Sequence, residues 1–183
     1  HKGLYGPQGT GLLLCGGEAQ PLLFGGTGSA SRIQTMPPDL PDRLEAGTHN
    51  MPGIAGLLEG LRFVQRVGTE RILRHELALT GQVAQGLSAL PGVEVFADGE
   101  DRAQTGVLSF RVRGMDSEQI GEELARRQIA VRAGLHCAPL AHRTAGTFET
   151  GTVRLSPSVF NTPRHIDVFL RELSGIIREN SRQ

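Results

Sequence analysis

The chain has little of several things. Among its 183 residues are one lysine, one tyrosine, no tryptophan and two cysteines. Cys15 and Cys137 are too few for a disulfide scaffold and too isolated for a structural zinc site. Charge of one sign is also missing: nineteen basic and nineteen acidic side chains cancel. Without a basic block there is no electrostatic footprint for nucleic acid or an anionic membrane, so neither is expected as a partner. Small neutral or zwitterionic substrates remain open. Apolar runs such as Gly11-Leu12-Leu13-Leu14-Cys15 are far too short to span a bilayer, and no charged, then apolar, then small-residue leader opens the chain. A soluble, cytoplasmic protein is the expectation. What is present is glycine: the 38% hydrophobic share rises to about half once the 25 glycines are added. That is a globular composition, enough for one ordinary domain or two small ones, and it excludes disorder and a collagen-like chain.

The scarcity of lysine is informative. Eighteen of the nineteen basic residues are arginine, and Lys2 is the only lysine. Preference for arginine codons is the ordinary account. Under such a preference, a retained lysine marks a place where guanidinium cannot serve, because only an amine forms a Schiff base or releases its proton near neutral pH. The chain opens His1-Lys2-Gly3, its first methionine is Met36, and it reads as a piece of a longer protein.

Periodicity sets the expected elements. Short strands are predicted at Leu12–Cys15 and Leu22–Phe24, punctuated by glycine turns. Met36-Pro37-Pro38-Asp39-Leu40-Pro41 is an extended connector. Beyond Pro52 the period turns helical, with Ile54, Leu57, Leu58, Leu61 and Val64 on one face and an end near Gly68. Thr69 caps a second helix carrying Ile72, Leu79, Val83, Leu87 and Leu90, which Pro91-Gly92 stops. Strands follow at Val93–Phe96 and Gly106–Val112, and a third helix, capped by Asp116 or Ser117, buries Ile120 and Leu124. Strands return at Ile129–Val131 and, after an irregular stretch, at Thr152–Ser156. Thr162 and Pro163 open a last helix with Ile166, Phe169, Leu170, Leu173, Ile176 and Ile177 inward. Glu118, Glu122 and Glu123 with Arg126 and Arg127 read as a solvated, ion-paired face. The later half is thus an α+β layer of helices on a small sheet.

The run His1-Lys2-Gly3-Leu4-Tyr5-Gly6-Pro7-Gln8-Gly9-Thr10-Gly11 resembles the segment around the cofactor lysine of class V aminotransferase-like enzymes of pyridoxal phosphate (PLP) fold type I. Gly25-Gly26-Thr27-Gly28-Ser29 and Glu45-Ala46-Gly47-Thr48-His49-Asn50 are similar to that family's next two motifs, in the right order. Glycines let main-chain N–H groups approach an anion and a threonine hydroxyl adds a neutral donor, as a phosphate monoester requires; a flexible loop is the plainer reading of Gly25–Ser29 taken alone.

Cys137 lies in Val131-Arg132-Ala133-Gly134-Leu135-His136-Cys137-Ala138-Pro139-Leu140-Ala141-His142, after a strand and in a Gly- and Pro-marked loop. With Arg132, His136 and His142 close in sequence, neighbouring cations favour thiolate over thiol, whereas Cys15 on an apolar stretch reads as inert. The stretch resembles the active-site loop of group II cysteine desulfurases, with Leu135 in place of the first of their two histidines. Arg154, between Val153 and Leu155, points by alternation away from the apolar face. The family places an arginine here to grip the substrate carboxylate. His49, His75 and His165 are too scattered for a metal site, and none is assigned.

The resemblance implies an α/β fold of PLP-dependent transferase type I. Residues 1–50 would be the end of the large PLP-binding domain, 51–92 connecting helices and 93–183 the small C-terminal α+β domain. It implies that Lys2 binds PLP covalently, that His1 and, from the partner of a homodimer, Thr48 hold its phosphate, and that Arg154 and Arg132 bind L-cysteine. Cys137 would take the sulfur as a persulfide, releasing L-alanine, and pass it to a sulfur-acceptor protein for iron–sulfur cluster, thiocofactor or selenium metabolism. Other parts of the family's cofactor site would precede His1, so residues 1–183 alone are expected to bind PLP poorly and to be inactive. A class V aminotransferase, a selenocysteine lyase and a non-catalytic partner-binding remnant are the alternatives.

Overall fold

The computed structural model describes residues 1–96 and 104–181. The expected segment 93–183 therefore includes residues 97–103 and 182–183, which lie outside the described residues. The chain forms two compact units, His1–Gly68 and Thr69–Gln183.

The first unit is built around one helix, α1 (Met51–Val67). Asn50 starts it by accepting the Gly53 N–H at 3.0 Å. Gly68, at φ 90°, ends it and donates to the Val64 carbonyl. The buried stripe of α1 is Gly53, Leu57 and Gly60, while Ile54 and Leu58 from the expected apolar face are each 46% exposed. The glycines are required by what lies over them: a Cβ on Gly60 would sit 2.2 Å from the Leu4 carbonyl oxygen, and one on Gly56 2.6 Å from the Pro7 ring. Residues 4–10 thus run along the helix, and Tyr5 meets Phe63 edge to face at 5.3 Å. The strands expected at Leu12–Cys15 and Leu22–Phe24 are not formed. A strand is stable only when its N–H and C=O groups are paired. Among the described residues nothing pairs with either segment, and Leu14 and Leu22 are more than 90% exposed.

The second unit runs α2 (Thr69–Ser88), β1 (Val93–Phe96), β2 (Leu108–Val112), α3 (Ser117–Arg126), β3 (Arg132–Gly134), α4 (Pro139–Thr144), β4 (Thr152–Leu155) and α5 (Pro163–Asn180). The strands form one antiparallel sheet in the order β1-β2-β4-β3. Alternation buries Leu108, Phe110, Val112, Val153 and Leu155 on one face. There they join Leu79, Val83 and Leu87 of α2, Ile120 and Leu124 of α3, and Ile166, Phe169, Leu173, Ile176 and Ile177 of α5 in a single core. Asp116 caps α3 by accepting from Glu118 and Gln119 N–H. Of the expected ion-paired face, Arg126 does pair with Glu122 and Glu123. Arg127 instead turns to α5, meeting Glu179 at 2.7 Å and the Glu172 carbonyl at 3.1 Å.

Two local expectations are corrected. The strand predicted at Ile129–Val131 forms at Arg132–Gly134, because pairing with β4 sets Arg132 opposite Arg154, while Ile129 and Val131 pack as apolar flanks of the core. The stretch expected to be irregular contains α4, opened by Pro139 in its first turn. Phe110 is fully buried and meets Phe169 at 6.0 Å between ring centroids. Phe110→Ala is expected to destabilise the second unit by about 3–5 kcal/mol in urea unfolding; a loss below about 1 kcal/mol would contradict this core.

Candidate active site

The site begins with sheet register. Arg132 on the edge strand β3 lies directly opposite Arg154 on β4. Opposed residues of an antiparallel pair project to the same side, with Cβ atoms about 4.5–5.5 Å apart, and like charges so placed repel. Val153 and Leu155 fix that side as the one away from the core, as alternation predicted for Arg154. Among the described residues neither arginine has a carboxylate partner. Two buried side-chain nitrogens there have no hydrogen-bond partner, Arg154 Nε and His136 Nδ1, and both belong to this place.

The turn after β3 delivers the thiol. Gly134 takes φ 95°, and His136 and Cys137 follow at φ 54° and 60°, a left-handed conformation uncommon for residues with a Cβ. The Ala138 N–H closes the turn on the Leu135 carbonyl at 2.9 Å. The result is an exposed Cys137 whose Sγ accepts from Arg132 Nη2 at 3.2 Å.

The histidines depart from expectation. His136 Nε2 lies 3.0 Å from the Thr152 hydroxyl, and its ring centroid is 5.5 Å from that of His142. Burial holds the His136 pKa below its ordinary value, and the charges of Arg154, His142 and Arg132 push in the same direction. The neutral form of the ring is therefore favoured over the cation. His142 is buried, its Nδ1 2.8 Å from the Thr147 hydroxyl. The cation that touches Cys137 is Arg132. Thr147 and Thr152 escaped the sequence reading, since the register that brings Thr152 to His136 is not written in any local pattern.

In the first unit Lys2 and His1 are exposed, with Lys2 Nζ 3.5 Å from His1 Nε2. Thr48 joins Gly26, Thr27, Gly28 and Gly47 around a cavity of about 370 Å³. The Gly47 N–H donates to the Gly26 carbonyl at 2.8 Å, which brings the second and third glycine motifs together. Gly28 and Gly47 have φ of 80° and 89°, so this approach needs glycine. A hollow lined by three glycines and two threonines fits a phosphate, and an exposed primary amine fits an aldehyde. His49 turns to Glu45 at 3.4 Å, and His75 to the Asn161 carbonyl at 2.9 Å. The second unit thus brings together Cys137, Arg132, Arg154 and His136, and the first brings together Thr48 with its glycine loop and Lys2 with His1.

A family model described as aminotransferase class-V matches residues 1–169. A protein named "Probable cysteine desulfurase" from Methanothermobacter thermautotrophicus is 35% identical over 187 residues, covering 96% of this chain and 46% of its own length. Another of that name, from Mycolicibacterium paratuberculosis, is 40% identical and is matched over 96% of this chain and 26% of its own. The apo structure of a cysteine desulfurase from Thermococcus onnurineus NA1 superposes with a TM-score of 0.76 at 32% identity, over 87% of this chain and 40% of that one. The chain spans less than half the length of each.

The lowered His136 pKa has a consequence for acid stability. An unfolded chain takes up a proton on this imidazole near pH 6.5, whereas the native ring, with its lowered pKa, takes it up only at lower pH. The unfolded state then binds more protons, so stability falls as pH drops below about 6.5. Urea midpoints between about pH 7 and pH 5.5 should decline less steeply in His136→Gln than in the unaltered chain; equal slopes would contradict a lowered native His136 pKa.

Proposed function

Since the chain belongs to the class V aminotransferase family, we propose that it forms the lysine-, arginine- and thiol-bearing part of a PLP-dependent cysteine desulfurase. The observation that carries this reading is the thiol of Cys137 against Arg132, on the same sheet face as an Arg154 whose Nε has no partner. A transaminase needs an arginine for a carboxylate but no nucleophilic thiol beside it, so this pairing favours sulfur transfer over the aminotransferase alternative.

PLP, which the family implies, would be held by Lys2 at its aldehyde and by His1 and, from the partner of the homodimer, Thr48 at its phosphate, and when bound it supplies the sink for electrons released at the substrate. Arg154 binds the carboxylate of L-cysteine with its fork of N–H donors, and Arg132 adds positive charge beside it. Lys2 Nζ, once free, takes the proton from the substrate Cα. Cys137 Sγ, as thiolate, attacks the substrate sulfur: an S–S bond forms, the Cβ–S bond breaks, and its electron pair leaves with the carbon. The sulfur is oxidised to the sulfane level as Cβ is reduced, and proton return to carbon gives L-alanine. Cys137 is left as a persulfide, exposed for a sulfur-acceptor protein of iron–sulfur cluster, thiocofactor or selenium metabolism. The exposure of Cys137 supports that handover.

The same reading assigns residues 1–50 to the end of the large cofactor-binding domain, 51–92 to connecting helices and 93–183 to the small domain. It makes the protein a homodimer in which Thr48 serves the partner's cofactor. It also places it in the cytoplasm, a reducing compartment that suits two free thiols. Among the described residues no helix is long and apolar enough to cross a membrane.

Two measurements on the natural protein test the assignment. Borohydride reduction after PLP addition, followed by peptide mapping, should label Lys2 saturably, and Lys2→Ala should abolish that label; a stable label elsewhere would overturn the role of Lys2. Cys137→Ser should keep the Lys2 label yet release alanine from L-cysteine at least about a hundredfold more slowly. An unchanged rate would remove Cys137 from the chemistry.

A further inference from the structure

The left-handed turn that carries Cys137 has to be held by something. Two consecutive residues with side chains, His136 and Cys137, stand at φ 54° and 60°. Each such residue is strained relative to ordinary backbone, and persists only where its surroundings impose it. The main-chain bond from Ala138 to Leu135 closes the turn but does not fix where it lies on the sheet. The side chain of His136 reaches back across the sheet face to Thr152.

Thr152 suits the task. It is 2% exposed, sits opposite Gly134 in the β3–β4 register, and lies two residues before Arg154 on β4. Its hydroxyl is 3.0 Å from His136 Nε2. The ring is backed by His142, whose own orientation is set by a 2.8 Å contact with Thr147. A β-branched, buried threonine has little rotamer freedom, so the hydroxyl is a rigid anchor. The chain of support runs from β4 through Thr152 to His136, and the residue after His136 is Cys137.

We propose that Thr152, acting through His136, is a positioning residue that holds the Cys137 thiol within reach of the Arg132 guanidinium. The proposal rests on Cys137 as the functional thiol only for its importance. Its test needs neither PLP nor turnover, so it can fail while the desulfurase reading stands, and the reverse. Cys137 is already exposed, and release of the turn adds no access; what release removes is the Arg132 N–H at 3.2 Å, and with it the electropositive surroundings typical of reactive cysteines.

The experiment is iodoacetamide alkylation of the unliganded 183-residue chain at neutral pH, with Cys137 followed by peptide-resolved mass spectrometry and Cys15 as the internal reference. Thr152→Val, which removes the hydroxyl and keeps the shape, should slow alkylation of Cys137 by about threefold or more, leaving Cys15 unchanged. Thr152→Ser, which restores the hydroxyl, should return the rate to within about twofold of the unaltered chain. In an Arg132→Ala background, Thr152→Val should have no further effect, because the contact it protects is already gone. A Thr152→Val rate equal to that of the unaltered chain would overturn the proposal. So would failure of Thr152→Ser to rescue, or an undiminished Thr152→Val effect in the Arg132→Ala background. Should Thr152→Val unfold, His136→Gln replaces it in the same comparison, with the same slowing expected and the same null result decisive.

Discussion

The structure turns on two guanidinium groups set opposite each other by sheet register. Arg132 and Arg154 repel, and among the described residues no carboxylate relieves them. The strand pairing that holds them is secured from behind. Val153 lies between Arg154 and Thr152 on the opposite face of β4, in a core that includes Phe110, Leu124 and Leu173. Apolar burial there offsets the repulsion on the other face, since burying a side chain of this size contributes about 1.5–3 kcal/mol. The sheet therefore keeps a positive face with no carboxylate partner among the described residues, and it places a thiol at the edge of that face.

The glycines do a different kind of work in each unit. In α1 they let residues 4–10 lie against the helix, so that the segment bearing Lys2 continues into a fixed stretch of chain. In the loops at Gly26–Gly28 and Gly47 they let two stretches of main chain meet around a hollow lined in part by threonine. In the second unit Gly134 turns the chain out of β3, and a Cβ on Gly151 would lie 2.9 Å from the Gly134 Cα. That close approach lets the ends of β3 and β4 meet just where His136 bonds Thr152.

Much of the second unit was legible in the sequence because its signals are local and periodic. Asp116 before α3, Thr162-Pro163 before α5 and the spacing of Ile166, Phe169 and Leu173 each announce an element without reference to the rest of the chain. Arg154 was correctly turned from the core by alternation alone. What was hidden depends on partners distant in sequence. β3 begins three residues later than its apolar content implied, because pairing with β4 decides the register. Leu12–Cys15 and Leu22–Phe24 have strand-like composition but nothing among the described residues to pair with. His136 and His142 looked like cations for the thiol, yet burial and the neighbouring arginines favour the neutral form of His136. Motif order around Lys2, Thr48 and Cys137 pointed to the family, while the support given by Thr152 needed the fold.

The central claim is that sulfur from L-cysteine comes to rest on Cys137. The most direct measurement is peptide-resolved mass spectrometry of the natural protein after brief exposure to PLP and L-cysteine, with and without a thiol reductant. The account predicts one added sulfur atom on the peptide containing Cys137, removed by the reductant and absent from the peptide containing Cys15. Alanine release with no added sulfur on Cys137, or with the sulfur on Cys15, would contradict it.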